Sequence, residues 1–545
     1  MSQMTGGEAV YRTLLRLGVR HVFGIPSVHN IPIFDALLQG GQIDTVIVRN
    51  EQAGTHAADG YYRATGEMGV IIASTGPGTT NTITGLYEAD FASSKVLLIT
   101  GQSDSIFYGK GKGQGHEAEN QIAMLQTVVD SVASPRSTQA ISPAIVRVVA
   151  QMNTGRHGPG AVEIPIDLQY QTAEIEIPEI PDVRPIAPQA DAINAAAALL
   201  SDSKRPVIVA GGGVIASGAS AALVEWAEST NTPVFTTVHG RGSISDEHPL
   251  CMGAFLGNPA FHNAMTGVDT ILAIGTWFQA GGQMPLPGKL IHVDVDPRKI
   301  GLVYPADVSV IGDALLAING IRSAMNAGPG DTAFIEEMQS ARDQARQGMR
   351  KIIGPDHEGI MDAIRTVAPD DAIMVRDMTI PAYMWGNQLL PIYAPHTTMH
   401  PVSGAIGAGL PLAIGAATAT AKKTVIIQGD GGFMVHIGEL STAVQYQLPI
   451  VVCVFTDGGY GVLRGIQHYR FQGRTIGVDL ATPNFVTVAR GMGMNAEGVS
   501  SLEEFKDAYS RAIQADGPYL IDINTSSIVP ITGLGRAIEF TQPQE

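Results

Sequence analysis

The chain has little cysteine, few basic residues and no long apolar run, and each shortage removes a class of protein. Its two cysteines, Cys251 and Cys453, lie far apart in 545 residues, which argues against a disulfide framework or a cysteine metal cluster. Cys453 sits inside Ile450-Val451-Val452-Cys453-Val454-Phe455, where a buried reduced thiol is expected. Lysine and arginine total 34 against 51 aspartates and glutamates, a formal net charge of −17 with histidine neutral. Such a surface repels nucleic acid and anionic membranes, so neither is expected as a partner. Acidity does not choose a substrate, because an acidic surface is also simply a soluble one. No apolar run approaches the ~18 residues of a membrane span, and residues 1–7 carry no basic region leading into an apolar segment. The expected location is the cytoplasm.

What is abundant is glycine and proline, 63 and 32 residues, which suits the many tight turns of an α/β enzyme. The length suggests about three to four domains. An amphipathic helix over residues 8–17 leads to a short strand at His21-Val22-Phe23, and apolar runs recur at 45–48, 70–73 and 96–100. Short β-rich runs separated by helices read as parallel strands buried on both faces. Prolines interrupt this pattern at 174–189, an expected linker. A second unit at 190–325 has strands near 206–210, 233–236, 270–274 and 290–295. Residues 326–354, a turn cluster and a charged helical segment, form the next expected linker. The third unit, 355–530, has strands near 372–375, 423–427, 450–455 and 519–523, with a tail at 531–545. The fold class expected is α/β, three doubly wound parallel-sheet domains, the first spanning 1–173.

Two carboxylates carry the sharpest chemical signal. Val425-Ile426-Ile427-Gln428-Gly429-Asp430-Gly431-Gly432-Phe433 is a strand that ends in glycines, whose amides can approach an oxyanion at the sheet edge. The next strand ends in Thr456-Asp457-Gly458-Gly459-Tyr460-Gly461. Two carboxylates, a main-chain carbonyl, two phosphate oxygens and a water would complete the octahedron that magnesium prefers; taken singly, each Asp-Gly is equally a turn. In the first unit Glu51 closely follows a strand. It reads either as a helix-start acid or as a group that can hydrogen-bond a pyrimidine ring nitrogen and so create a base.

Together these segments resemble the thiamine-diphosphate signature, Gly-Asp-Gly followed about twenty-five residues later by Asn-Asn, here Thr456-Asp457. Arg49-Asn50-Glu51-Gln52-Ala53-Gly54-Thr55-His56-Ala57-Ala58-Asp59-Gly60-Tyr61 resembles the family's Arg-His-Glu-Gln segment, and Ser403-Gly404-Ala405-Ile406-Gly407 its cofactor-bending element. Gly24-Ile25-Pro26, Ser74-Thr75-Gly76-Pro77-Gly78, His239-Gly240-Arg241-Gly242 and His292-Val293-Asp294-Val295-Asp296-Pro297 are similar to further landmarks of the acetohydroxyacid synthase and 2-oxoacid decarboxylase superfamily. The resemblance implies pyrimidine-binding, central Rossmann-like and diphosphate-binding domains, with one cofactor shared by two subunits of a homodimer or homotetramer. It implies magnesium on Asp430, Asp457 and the Gly459 carbonyl, and cofactor contacts from Glu51, Thr75, Gly404, Ile406, Gly429, Asp430, Gly431, Gly432, Asp457, Gly459 and Tyr460. In it the Gly404 carbonyl holds the exocyclic amine and Ile406 supports the bent cofactor. Asp457 in place of asparagine adds a negative charge beside the diphosphate.

The reaction is less fixed. Residues 109–121, Val28-His29 and 477–483 resemble 5-guanidino-2-oxopentanoate decarboxylases, which favours decarboxylation of a 2-oxo acid through an enamine, with His116 and His29 as proton relays. A solvent-facing loop is the alternative for each histidine, His116 being the stronger candidate. Val28 and Val462-Leu463 stand where related decarboxylases place acids, which favours a carboligase or acyloin lyase. A catalytically silent cofactor-binding subunit is the reading from another class. Gly211-Gly212-Gly213 in the central unit either approaches a nucleotide phosphate, FAD or ADP in some relatives, or is a structural loop.

Overall fold

The computed structural model describes residues 2–279, 285–326 and 330–531; the rest of the expected tail, 532–545, lies outside the described residues. Three six-stranded sheets, all parallel, follow one another along the chain. The first runs Asp44–Ile47, His21–Gly24, Gly69–Ala73, Val96–Gln102, Gly160–Pro165, Ser131–Ala133. The third repeats that order with Thr398–Met399, Ile373–Arg376, Thr424–Gly429, Ile450–Thr456, Tyr519–Asn524 and Asn495–Val499. In each, the chain steps outward once and then returns to the other side of its starting strand, which makes a switch point where open α/β sheets bind ligands. The central sheet, Cys251–Gly253, Val234–Thr236, Pro206–Ala210, Thr270–Ile274, Lys289–Asp294 and Val308–Ile311, has the Rossmann strand order. The expected α/β class with three doubly wound parallel sheets is therefore what the protein has.

Strands read from β-rich apolar runs fall within a residue or two of their observed limits, because such runs are buried on both faces: Val425, Ile426 and Ile427 are all inaccessible to solvent. Short strands with weaker patterns, Ser131–Ala133 and Asn495–Val499 among them, were not legible. Neither was the antiparallel pair of Ser2–Thr5 with Thr172–Ile175, which ties the chain's start to the end of the first unit. Residues 332–353, inside the second expected linker, are helical. That helix runs on to Val367 through a break at Gly354, whose φ of +77° precedes Pro355.

The first and third units meet along two helices. Glu51–Thr65 crosses Gly409–Thr420 so closely that a Cβ on Gly60 would lie 2.0 Å from the Leu412 carbonyl oxygen, and one on Gly415 1.8 Å from that of Ala57. The central unit is joined to the third by Arg241, fully buried, which donates to Asp246 and to the Gly386 and Leu390 carbonyls.

Candidate active site at the sheet ends

The paired strands Thr424–Gly429 and Ile450–Thr456 place Asp430 and Asp457 side by side at their carboxyl ends. Asp430 is buried; its Oδ1 accepts from the Gly431 amide at 3.0 Å, and its Oδ2 from the Gly458 and Gly459 amides at 2.9 and 3.1 Å. The turn that presents those amides needs glycine, since Gly458 has φ +79° and Gly459 φ +150°. Burial raises the Asp430 carboxyl, and burial followed by the charge of Asp430 pushes Asp457 up to about 6. Asp457 Oδ1 is buried without a hydrogen bond, the Arg464 guanidinium standing 3.7 Å away. A Cβ on Gly431 would lie 2.8 Å from the Gly459 carbonyl oxygen, so that carbonyl also belongs to this corner.

These features fit a hard divalent cation: two crowded carboxylates, one of them short of a partner, beside a main-chain oxygen. Two carboxylates and a carbonyl leave positions for the waters and phosphate oxygens that magnesium keeps; among the described residues no three His, Cys, Asp or Glu side chains gather as a cage. The segment 477–483 packs on this corner. Tyr460 donates its amide to the Val478 carbonyl at 2.8 Å, and Arg464 bridges Asp479 and the Asp457 carbonyl.

Above the switch point, residues 402–409 form a loop clamped at both ends. Buried Asp377 accepts from the Gly407 amide at 2.9 Å, the Gly409 amide at 3.3 Å, Gln428 Nε2 and the Met378 amide; burial pushes it up to about 6 against these donors. At the other end Glu88 accepts from Val402 and Ser403. Between the clamps Gly404 is exposed at φ +85°, and Ile406 is 42 % exposed. An isoleucine left open between two buried carboxylate anchors fits a ligand ring resting on it. Sequence reasoning missed Asp377 and Glu88; for Asp377 the available signal was an acid ending the strand Ile373–Arg376.

Glu51 opens the Glu51–Thr65 helix with Asn50 as its cap. Its starting point is fixed by the third unit, where Glu439 accepts from the Arg49 and Asn50 amides at 2.9 and 3.1 Å. Asn81 Nδ2 donates to Glu51 Oε2 at 2.9 Å, and a Cβ on Gly78 would lie 3.3 Å from Glu51 Oε1 and 2.8 Å from Ser74 Cβ. Ser74 Oγ in turn lies 3.3 Å from His116 Nδ1, and the His116 and His29 rings are 5.3 Å apart. Glu51 and His116 therefore flank the start of one helix, Pro77–Ala92, and His29 joins them through His116. His116 has φ +63°, and its carbonyl presses on Gly76, where a Cβ would come within 2.4 Å. Burial and the neighbouring His116 lower the basicity of His29. Thr75 behaves differently: its hydroxyl is committed to Gln121 at 2.9 Å, inside a buried network with Gln102 and Glu163.

A cavity of about 860 Å³ opens where the central unit faces the first and third units. Gly212, His239, Trp277, Asp294, Lys299 and Arg156 are among its walls. The three glycines divide. Gly211 and Gly213 are required by close approach of Gly275, whose nearest atoms lie 2.1 and 2.6 Å from their Cβ positions, whereas a Cβ on Gly212 would make only ordinary contact with His239, at 3.5 Å.

Residues 4–126 match the N-terminal TPP binding domain of the thiamine pyrophosphate enzymes, residues 193–321 their central domain and residues 382–523 their C-terminal TPP binding domain. A probable acetolactate synthase large subunit of Methanocaldococcus jannaschii is 32% identical, covering 99% of this chain and 95% of its own. A probable 2-ketoarginine decarboxylase of Pseudomonas aeruginosa is 31% identical over 95% of this chain and 94% of its own. An acetolactate synthase large subunit of Corynebacterium glutamicum is 31% identical over 95% and 86%. With three domains matched in order along one chain and relatives matched over nearly its whole length, the protein belongs to the thiamine pyrophosphate enzyme family.

Proposed function

We propose that the protein uses thiamine diphosphate and magnesium to decarboxylate a 2-oxo acid, then either releases an aldehyde or transfers the acyl unit to a second carbonyl. The observation that carries this is the juxtaposition at the third sheet of an under-partnered carboxylate pair, Asp430 and Asp457, with an open isoleucine on a doubly anchored loop. When bound, the cofactor supplies a nucleophilic carbon and an electron sink for the bond beside the carbonyl.

The chain's own residues do the rest. Asp430, Asp457 and the Gly459 carbonyl hold the cation, and the glycines at 429, 431 and 432 leave room for the diphosphate, with Tyr460 beside them. Glu51, oriented by Asn81, holds a proton at the pyrimidine nitrogen. Gly404 offers its carbonyl to the exocyclic amine and Ile406 props the bend. His116, linked to Ser74, and His29, kept neutral near pH 7 by its lowered basicity, move protons at the substrate. Thr75 contributes through its main chain.

Carboligation is supported by a separate observation: Val28 and Leu463 are exposed apolar side chains, 65 % and 51 %, at positions where related decarboxylases carry acids. Fewer proton donors favour transfer to a second carbonyl over protonation. Exposed Leu463, Tyr469, Phe471 and Ile476 around the site also support self-association as a homodimer or homotetramer. No helix among the described residues is long and apolar enough to cross a membrane, and two buried thiols suit a cytoplasmic setting. The central cavity is large enough for a nucleotide, FAD or ADP, and the absorbance of the purified protein tests the flavin.

The deciding experiment is carbon dioxide release with thiamine diphosphate and magnesium across pyruvate, branched, aromatic and guanidino 2-oxo acids, with products identified by mass spectrometry. An aldehyde identifies the decarboxylase and a 2-hydroxyketone the carboligase. Cofactor binding without any turnover would instead show a silent subunit.

A further inference from the structure

Glu88 has none of the usual reasons to be where it is. It lies about one turn before the C-terminal end of the Pro77–Ala92 helix, where the helix dipole disfavours a negative charge, and is completely inaccessible to solvent. A carboxylate is buried at this cost only where several donors meet it. Three do: the Val402 amide at 2.5 Å, the Ser403 amide at 2.9 Å and Ser403 Oγ at 2.6 Å. The Arg63 guanidinium stands 3.5 Å away, shared with buried Asp59 at 3.6 Å, and donates to the His400 carbonyl at 2.8 Å, just before the same loop. All three donors come from the two residues preceding Gly404. The far end of the loop is held by Asp377 at Gly407 and Gly409, so only residues 404–406 are left unclamped by the two carboxylates.

The helix that carries Glu88 also carries Asn81, the donor to Glu51 Oε2. Asn81 and Glu88 are seven residues apart, two turns, and so share a face of the helix. One rigid element thus aims the Glu51 carboxylate and sets the position of the loop bearing Gly404 and Ile406.

We propose that Glu88 is a positioning residue for the thiamine moiety: it fixes the height of residues 404–406 and thereby the bend of the cofactor, without touching the diphosphate or the metal. This rests on the assignment of Gly404 and Ile406 to the cofactor. It predicts a split between the two halves of the ligand. Glu88→Gln keeps the volume but turns a donor toward the amides, releasing the near end of the loop, while the Asp430 corner is untouched.

The test compares binding of magnesium thiamine diphosphate and of magnesium with inorganic pyrophosphate to full-length wild type and Glu88→Gln, by titration calorimetry, together with the near-ultraviolet circular dichroism induced in bound thiamine diphosphate. Losing hydrogen bonds to a buried charge should weaken thiamine diphosphate about tenfold, with a diminished induced signal and unchanged pyrophosphate affinity. Ser403→Ala, which removes one donor and leaves the fold's charges intact, should shift the same two readouts in the same direction and serves if Glu88→Gln does not fold. Equal affinity and equal induced dichroism in variant and wild type would overturn the proposal, as would parallel weakening of both ligands. Failure of the wild type to bind thiamine diphosphate at all would overturn the cofactor assignment itself, and the proposal with it.

Discussion

Asp457 stands against Asp430 at the ends of adjacent parallel strands, and burial together with the charge of Asp430 pushes its carboxyl up to about 6. Without a cation, two ionised carboxylates here repel. Asp457→Asn should therefore stabilise the metal-free protein at pH 7.5 by about 1–2 kcal/mol, read as a higher urea midpoint. Asp430→Ala removes the carboxylate that gathers the Gly458 and Gly459 amides and should abolish magnesium-dependent retention of thiamine diphosphate in equilibrium dialysis. Unchanged retention would contradict the metal assignment.

Glu51→Gln should assemble and bind cofactor like wild type, because the amide can still accept from Asn81. Turnover should fall at least ~100-fold, the usual scale for removing a general acid or base. Wild-type turnover in this variant would remove Glu51 from the mechanism.

Gly415→Ala tests the joint between the first and third units. Its Cβ would lie 1.8 Å from the Ala57 carbonyl oxygen, main chain on a helix that cannot step aside alone. Overpacking of this kind should cost about 3 kcal/mol and misplace Glu51 relative to its own chain's third sheet. Thermal unfolding within a degree of wild type would show that the two helices part without penalty.

His56 is fully buried with neither ring nitrogen hydrogen-bonded, and burial lowers it to about 3. Its folded-state value lies below the unfolded value of 6.5, so unfolding takes up a proton at any pH between them. Stability contributed by the neutral ring is complete above 6.5 and is lost as pH falls toward 3. Compared with His56→Gln, the wild type should lose about 1.4 kcal/mol per pH unit over that window, measured by urea unfolding at pH 7, 6 and 5. Parallel stability curves for the two proteins would refute it.

The motifs at Asp430, Asp457, Glu51 and Gly404 were legible because each sits just after a strand or in a glycine-bearing turn, where local sequence alone dictates backbone geometry. Thr75 shows the limit of that reading. Its motif lies where expected, yet its hydroxyl faces Gln121, forty-six residues away in sequence, a partner that no local pattern announces. Glu88 was invisible for the same reason, and Asp377, although an acid just past a strand, announced none of its partners at residues 407–409. A glutamate in the last turns of a helix looks like a solvated acid until residues 402–403 are brought onto it from more than three hundred residues away.

The three parallel sheets and the order of the glycine-bearing turns at their ends are written in the amino-acid order alone, since burial on both faces makes strands apolar runs and positive φ makes turns glycine. Which residues hold those turns in place depends on how distant segments pack together. The two carboxylate clamps, the Asn81 bond to Glu51 and the His29–His116 pair arise from contacts between segments distant in the chain, and their energy comes from pairing buried polar groups, which becomes defined only once the units have packed.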